Sequence, residues 1–264
     1  MFRLTLISVL LLASCAACGP RAYGPEAARR ELALRGVPFK EEAFIRKAAE
    51  GDAALVNLFL AAGMSPNAKN VEGETPLIVA ARYGQTKVVK SLLDSGADVN
   101  ARDGERMTAL MNAARQGSNE ITRLLLERRA DPNAQAAKGS TALMFAVQRN
   151  APAIARLLLD AGADINASDG SVGTALAWGV YYNHVETCRL LLERGADPDA
   201  RNSVGGTPLM LAASQGRADA VRLLLERGAR ADLKDEDGKT ALDWVPRNTR
   251  PELAQLLAEA SARR

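Results

Sequence analysis

Residues 75–107 read TPLIVAARYGQTKVVKSLLDSGADVNARDGERM, and related stretches follow one another at intervals of 33 residues. Each stretch opens with a threonine that is followed, 17 residues later, by a leucine. The opening threonines are Thr75, Thr108, Thr141, Thr174, Thr207 and Thr240. Six copies in one register indicate a stack of similar supersecondary units, because a fixed period of this length is typical of repeat architectures. We name each unit by its first residue, as in unit 75.

The residues within a unit predict two short antiparallel helices. Each opening threonine precedes proline or alanine, which suits a helix N-cap followed by the first helical residue. Glycine or asparagine, nine residues after the threonine, tolerates the left-handed conformation that closes a helix. These closing residues are Gly84, Gly117, Asn150, Asn183 and Gly216. A leucine-rich second helix follows, and Pro152 and Pro251 fall at its expected first position.

The period and the Thr-Pro-Leu…Ala pattern resemble those of ankyrin repeats. The resemblance implies an all-α solenoid of stacked helix-turn-helix units with short extended fingers. Counting back 33 residues from Thr75 places a degenerate first unit at Glu42. We therefore predict a domain over residues 42–264 with seven helix pairs, including caps, in units that begin near residues 42, 75, 108, 141, 174, 207 and 240. Residues 25–41, with a helix from Pro25 to Leu34, would cap the N-terminal end.

Two departures from the family pattern are informative. Arg129 stands where the other units end their second helix with glycine, so we predict a left-handed conformation at this arginine. The family's usual histidine, three residues after the threonine, is absent, and we expect apolar packing to replace its hydrogen bond. The residues at this position are Ile78, Met111, Met144, Ala177 and Met210.

Residues 1–14 are typical of an export signal peptide. Arg3 precedes an apolar run, Leu4 to Ala13, that is too short to cross a bilayer, which requires about 20 residues. The run ends in Leu12-Ala13-Ser14-Cys15, which resembles the lipobox of bacterial lipoproteins. The resemblance implies cleavage before Cys15 and lipidation of its thiol. Residues 15–24 would then be a lipid-anchored tether.

Two alternatives remain open for this segment. Ordinary signal-peptide cleavage would yield a soluble exported protein, and Cys18 could carry the lipid instead of Cys15. Cys18 is disfavoured because Cys15 occupies a place where the lipobox prefers an aliphatic residue. Ala16, directly after Cys15, favours the outer membrane of a Gram-negative cell by resemblance. We thus expect a periplasm-facing lipoprotein of the bacterial cell envelope.

No pattern in the sequence predicts catalysis, a cofactor or a metal site. His184 is the single histidine, which excludes a two-histidine site, and ankyrin units often carry histidine there for turn packing. Cys188 is equivalent to Val89 and Val221, which predicts a core position. Asp98 and its repeat equivalents are predicted turn residues. The net charge of +3 comes from interspersed residues, whereas nucleic-acid binding requires a basic face, so we expect no nucleic-acid partner.

By resemblance, ankyrin arrays meet their partners on the concave side, through the fingers and the exposed face of each first helix. Contacts are expected one, three and four residues before each threonine, and seven and eight residues after it. Of the residues after the threonines, the candidate partner-binding set is Arg82, Tyr83, Arg115, Gln116, Gln148, Arg149, Tyr181 and Tyr182. Ser214 and Gln215 occupy the same positions in unit 207. We expect a monomer that binds an unidentified protein.

Aromatic residues concentrate in units 141 and 174. Trp178, Tyr181 and Tyr182 share one helix face, because they are spaced i, i+3 and i+4. Phe145 is equivalent to Trp178, and we interpret both as core between units, with an interface role as the alternative. Tyr181 and Tyr182 stand at polar-equivalent positions, which favours surface recognition, since tyrosine is enriched at interface hot spots.

The leading hypothesis is a protein–protein interaction module tethered to the bacterial envelope. One alternative is an immunity or inhibitor protein that neutralises an effector delivered into the periplasm. Another is an envelope assembly or oxidative-stress support factor. Both alternatives rest on family analogy.

Overall fold

The computed structural model describes residues 24–246 and 251–262, within which the regular secondary structure is entirely α-helical. The helices are α1 (Pro25–Leu34), α2 (Glu41–Glu50), α3 (Ala53–Ala61), α4 (Pro76–Arg82), α5 (Thr86–Asp94), α6 (Ala109–Gln116), α7 (Asn119–Glu127), α8 (Ala142–Gln148), α9 (Pro152–Asp160), α10 (Ala175–Tyr181), α11 (Val185–Glu193), α12 (Pro208–Ser214), α13 (Ala218–Glu226) and α14 (Pro251–Ala262). The predicted all-α class is confirmed.

The helices stack in two layers. The first helices of successive units pack side by side, as α4 does between α2 and α6. The second helices form a layer behind them, in which α5 packs between α3 and α7. A short finger joins each second helix to the next first helix. This arrangement is the ankyrin-repeat solenoid that the sequence predicts.

Each first helix from α4 to α12 begins at a buried threonine. The threonine Oγ1 accepts a hydrogen bond from the backbone N–H three residues later, which satisfies a donor that the helix leaves free. The donors are Ile78, Met111, Met144, Ala177 and Met210. Their side chains are buried in the core, so apolar packing does replace the family histidine.

Small side chains let the two helices of a unit approach. Ala80, Ala113, Ala146 and Ala212 occupy the closest position of their first helices and are fully buried. Unit 174 has Gly179 there, and a Cβ on this glycine would lie 2.6 Å from the Cys188 Sγ. Cys188 is therefore a core residue, as predicted, and burial raises the pKa of its thiol to about 12.

A row of Asn and Asp side-chain oxygens joins each unit to the next. The Asn67 Oδ1 accepts a hydrogen bond of 2.8 Å from the Asp98 N–H, 31 residues later. Asn100, Asn133, Asn166 and Asp199 repeat this bond at 2.7–2.9 Å. The Asp98 carboxylate in turn accepts the Asn100 N–H at 2.9 Å, so the predicted turn role of these aspartates is confirmed.

The N-terminal end is covered by α1, the helix expected from Pro25 to Leu34. It packs against α3 with Ala28 and Leu32 fully buried, and the Arg29 Nε donates to the Ala62 carbonyl at 3.0 Å. Three residues separate Gly36 from the N-cap Lys40, so no finger precedes α2. Helix α1 therefore occupies the place of a second helix from a preceding unit.

The prediction of seven helix pairs is wrong for unit 240. Residues 241–244 form a turn, and in the described residues this unit contributes a single helix, α14. The Asp243 carboxylate accepts bonds from both the N–H and the Oγ1 of Thr240, at 2.7 and 2.8 Å. Pro246 lacks the N–H that would continue a helix and disfavours helical geometry at Val245.

The predicted signal peptide, the tether up to residue 23 and Cys15 lie outside the described residues. None of the helices in residues 24–246 and 251–262 is long and apolar enough to cross a membrane. The lipid anchor therefore stays a prediction.

Among the residues that the structure describes, four other than glycine adopt a left-handed backbone. Asn150 and Asn183 close first helices, as their type predicts, and Arg106 lies in a finger. Arg129 has a φ of 63°, which confirms the conformation expected where other units carry glycine. Its side chain is exposed, so the left-handed backbone is not offset by side-chain burial.

We predict that Arg129→Gly raises the thermal unfolding midpoint, since a left-handed non-glycine residue costs about 1–2 kcal/mol. The gain should be smaller than this cost, because glycine also increases the entropy of the unfolded chain. The matched control is Arg123→Gly, an exposed arginine inside α7, which should lower the midpoint. An unchanged or lower midpoint for Arg129→Gly would contradict the interpretation.

Candidate partner-binding face

The fingers that precede the first helices are tight turns closed by a side-chain oxygen. Except before unit 141, an Asn or Asp oxygen accepts hydrogen bonds from the N–H groups two and four residues later. The residues are Asn70, Asp103, Asp169, Asn202 and Asp235. Ala136 takes this place before unit 141, where backbone bonds alone close the turn.

Neighbouring fingers are joined through their backbones. Gly104 donates to the Glu72 carbonyl and Ala137 to the Glu105 carbonyl, both at 2.9 Å, and two further fingers repeat the bond at 3.2 and 3.4 Å. Within the described ranges, no equivalent bond joins Ser203 to Ser171. The row of fingers is therefore interrupted between units 174 and 207.

Arg82, a candidate contact, is held inside the array. Its guanidinium forms ion pairs with Glu74 at 2.5 Å and Asp103 at 3.6 Å. Its Nε also donates to the Asn112 Oδ1 at 3.4 Å. The Arg115 Nη2 donates to the same oxygen at 2.9 Å. Arg82 therefore helps to join units 75 and 108, whereas Arg115 binds the shared Asn112 oxygen from within unit 108. Sequence reasoning missed the role of Arg82 because it gave no weight to Asn112.

Gln116 and Arg149 lean towards the preceding unit. A Cβ on Gly84 would lie 3.9 Å from the Gln116 side chain, and one on Gly117 would lie 3.6 Å from the Arg149 Cγ. Arg149 is exposed and, within residues 24–246 and 251–262, forms no ion pair or side-chain hydrogen bond. Gln148 is half-buried, whereas Tyr83 is 56% exposed.

Three aromatic rings pack together on unit 174. Tyr182 stacks on Trp178 with centroids 5.7 Å apart, and Tyr181 meets the Trp178 ring edge-on at 5.8 Å. The two tyrosine rings are 5.1 Å apart and nearly perpendicular. Tyr181 and Tyr182 are 44% and 43% exposed, as surface recognition requires. The cluster therefore holds two large amphipathic rings at the surface in fixed orientations.

The indole of Trp178 is held in turn by a buried carboxylate. Its Nε1 donates to the Asp169 Oδ2 at 2.8 Å. Burial alone would raise the pKa of Asp169, but hydrogen bonds from Gly173, Ser171 and Trp178 outweigh it and lower that pKa. Asp169 thus stays charged and links the finger to the aromatic cluster.

Trp178 and Phe145 are neither fully core nor fully exposed, the two roles considered for them. Both Trp178 and Phe145 are half-buried and pack against the core. The sequence does contain a signal for the indole contact, since Asp235 and Trp244 have the same nine-residue spacing and the same 2.8 Å bond as Asp169 and Trp178. Where the tryptophan is replaced by Phe145, the acid is replaced by Ala136.

His184 contacts the preceding unit and has a structural role. Its Nδ1 lies 2.9 Å from the Val147 carbonyl oxygen of the preceding unit, and its ring stacks on Tyr182 at 5.7 Å. In the described residues, no group of His, Cys, Asp and Glu side chains could hold a metal ion.

The comparisons with known proteins agree with this architecture. The profile of the family "Ankyrin repeats (3 copies)" matches residues 44–136, 110–202 and 176–263. The chain belongs to the ankyrin-repeat family. Ankyrin repeats are protein–protein interaction modules, and the family consists of non-enzymatic scaffolds. A search of curated protein sequences gave no significant match.

Two solved structures illustrate the similarity. The human ASB11 ankyrin-repeat domain is 28% identical, with a TM-score of 0.73, and the match covers 82% of this chain and 96% of that domain. The ankyrin-repeat domain of Bcl-3, described as a unique member of the IkappaB protein family, is 29% identical with a TM-score of 0.72. That match covers 81% of this chain and 97% of the Bcl-3 domain.

We predict that Asp169→Asn lowers the free energy of unfolding by about 1–3 kcal/mol, because it places an NH₂ group against the Trp178 N–H. The turn itself should survive, since Asn202 closes the next finger. The pKa of Asp169 is lowered, so the stability difference should be full above about pH 4 and shrink as pH falls through that lowered value.

The matched control for this prediction is Asp235→Asn, which removes the same bond to the exposed Trp244. Denaturant unfolding of the three proteins, repeated from neutral to acidic pH, measures the difference. Equal losses in the two variants would show that burial of Asp169 contributes nothing to the bond.

Proposed function

We propose that this protein binds a partner protein through its concave face, with Tyr181 and Tyr182 as the anchoring contacts. The observation that carries the proposal is the pair of exposed tyrosines held by Trp178. Tyrosine loses little entropy on binding because it has two rotatable side-chain bonds, and packing on Trp178 reduces that loss further. Large side chains held in this way are typical of interface hot spots.

The irregularity of unit 174 supports the same location. In a repeat array, the residues that hold the units together recur in every unit, whereas a binding site needs no repetition. Unit 174 departs from its neighbours in its aromatic cluster, in Gly179 and in the interrupted row of fingers. These departures lie together, which favours a local function over a general structural one.

We further propose that Cys15 carries a lipid that tethers the array to the periplasmic side of a bacterial envelope membrane. The support is the short apolar run and the lipobox-like Leu12-Ala13-Ser14-Cys15. Two or three acyl chains anchor firmly, since each buried methylene contributes about 0.8 kcal/mol. The array would then meet partners at the membrane surface.

Replacing both tyrosines with alanine should weaken partner binding by about 2 kcal/mol or more, roughly thirtyfold, while the protein remains folded. The measurement is quantitative mass spectrometry of proteins retained from solubilised envelopes. Leu34→Ala is the control that should leave binding unchanged, because Leu34 is a large exposed side chain on α1, outside the contact positions. Loss of the fold in the double variant would assign the tyrosines to the core instead.

Cys15→Ser should move the protein from the membrane fraction to the soluble periplasmic fraction, because the serine hydroxyl cannot accept the lipid. Fractionation followed by immunoblotting measures the change, and Cys18→Ser is the control that should remain in the membrane. Release by Cys18→Ser alone would transfer the anchor to Cys18. Membrane retention of both variants would remove the anchor.

A further inference from the structure

The concave face of units 174 and 207 contains no charged side chain at the contact positions. Those positions hold Ser171, Tyr181, Tyr182, Val204, Ser214 and Gln215, and otherwise glycine or serine. Charged residues make up 25% of the chain, so a neutral face across two units is a departure from its composition. We call this surface the neutral face. Tyrosine, serine and glycine are also the types that dominate antibody paratopes, where they combine large rigid contacts with adaptable hydrogen bonding.

The two borders of the neutral face carry opposite charges. On the side of unit 141, Lys138 and Arg149 are exposed, and neither forms an ion pair or side-chain hydrogen bond within the described residues. On the side of unit 240, the finger exposes Glu236 and Asp237, of which Asp237 is paired with Lys239 at 3.5 Å.

Other charges near the neutral face lie outside the contact positions. The exposed Arg217 Nε donates to the Gln215 Oε1 at 3.4 Å. The Asp169 carboxylate accepts four hydrogen bonds and is buried. Arg201 borders the finger before unit 207, and its Nη1 donates to the carbonyls of Gly205 and Lys234. The charges at the contact positions therefore change from positive in unit 141, through none in units 174 and 207, to net negative in the finger before unit 240, where Glu236 and Asp237 outnumber Lys239.

We propose that the neutral face receives an uncharged segment of the partner protein, flanked by acidic side chains towards unit 141 and basic side chains towards unit 240. A charged side chain placed on the neutral face would lose its hydration without gaining a partner, which is costly. At the borders, opposite charges speed association and reject segments of the reverse polarity. This inference rests on the proposed function, because it assumes that Tyr181 and Tyr182 contact the partner.

The test uses a displayed library of random 16-residue peptides selected on the full-length chain. Peptides that bind should have an uncharged middle, acidic residues at one end and basic residues at the other. They should lose binding to the Tyr181→Ala, Tyr182→Ala double variant. Selected peptides that lose binding to this variant but carry like charges at both ends, or charges in the middle, would overturn the inference and leave the proposed function standing.

Reversing the positive charges at the unit 141 border tests which end of the peptide lies there. The Lys138→Glu, Arg149→Glu double variant should bind the selected peptides about tenfold more weakly and regain affinity when the acidic end of the peptide is made basic. Lys90→Glu with Arg123→Glu makes the same charge change on exposed second-helix positions and should alter affinity less than about twofold. Equal effects of the two double variants would overturn the inference. Peptides that ignore the tyrosine substitutions, or a selection that enriches none, would count against the proposed function as well.

Discussion

The amide oxygens of Asn67, Asn100, Asn133 and Asn166 each bind the backbone of the following unit, and this contact sets the spacing on which the array depends. A single helix pair cannot bury its own apolar face, so every unit requires a neighbour at a fixed distance. The bond is directional, while the apolar side chains of both helix layers form one continuous buried core. In such arrays a small rotation repeated from unit to unit gives the concave face its curvature.

The same regularity makes departures informative. The repeat pattern accounts for the buried threonine caps and for the Asn and Asp side chains that close the fingers. Unit 174 keeps these parts and adds Trp178, whose indole binds Asp169 behind the exposed tyrosines. The acid that closes the finger before unit 174 therefore also supports the surface cluster of that unit. One residue serves both fold and candidate site, because a carboxylate has a second oxygen to offer.

Arginines at similar positions on the concave face have different environments. Arg82, seven residues after Thr75, is paired with Glu74 and Asp103. Arg149, eight residues after Thr141, leans towards the preceding unit and forms no ion pair within the described residues. An ion pair inside the array satisfies a charge that would otherwise face solvent. The unpaired charge is the one that a partner can use.

The sequence by itself determined the helical class, the number and phase of the units, the buried Cys188 and the left-handed Arg129, because these depend on local backbone preferences and a strict period. It did not reveal that residues 241–244 form a turn, since the competing Asp243 contact and the effect of Pro246 outweigh the repeat pattern. Nor did it show that Arg82 forms ion pairs whereas Arg149 does not. Only the tertiary structure decided which charges are paired and which face is neutral, because both depend on side chains brought together from units about 30 residues apart.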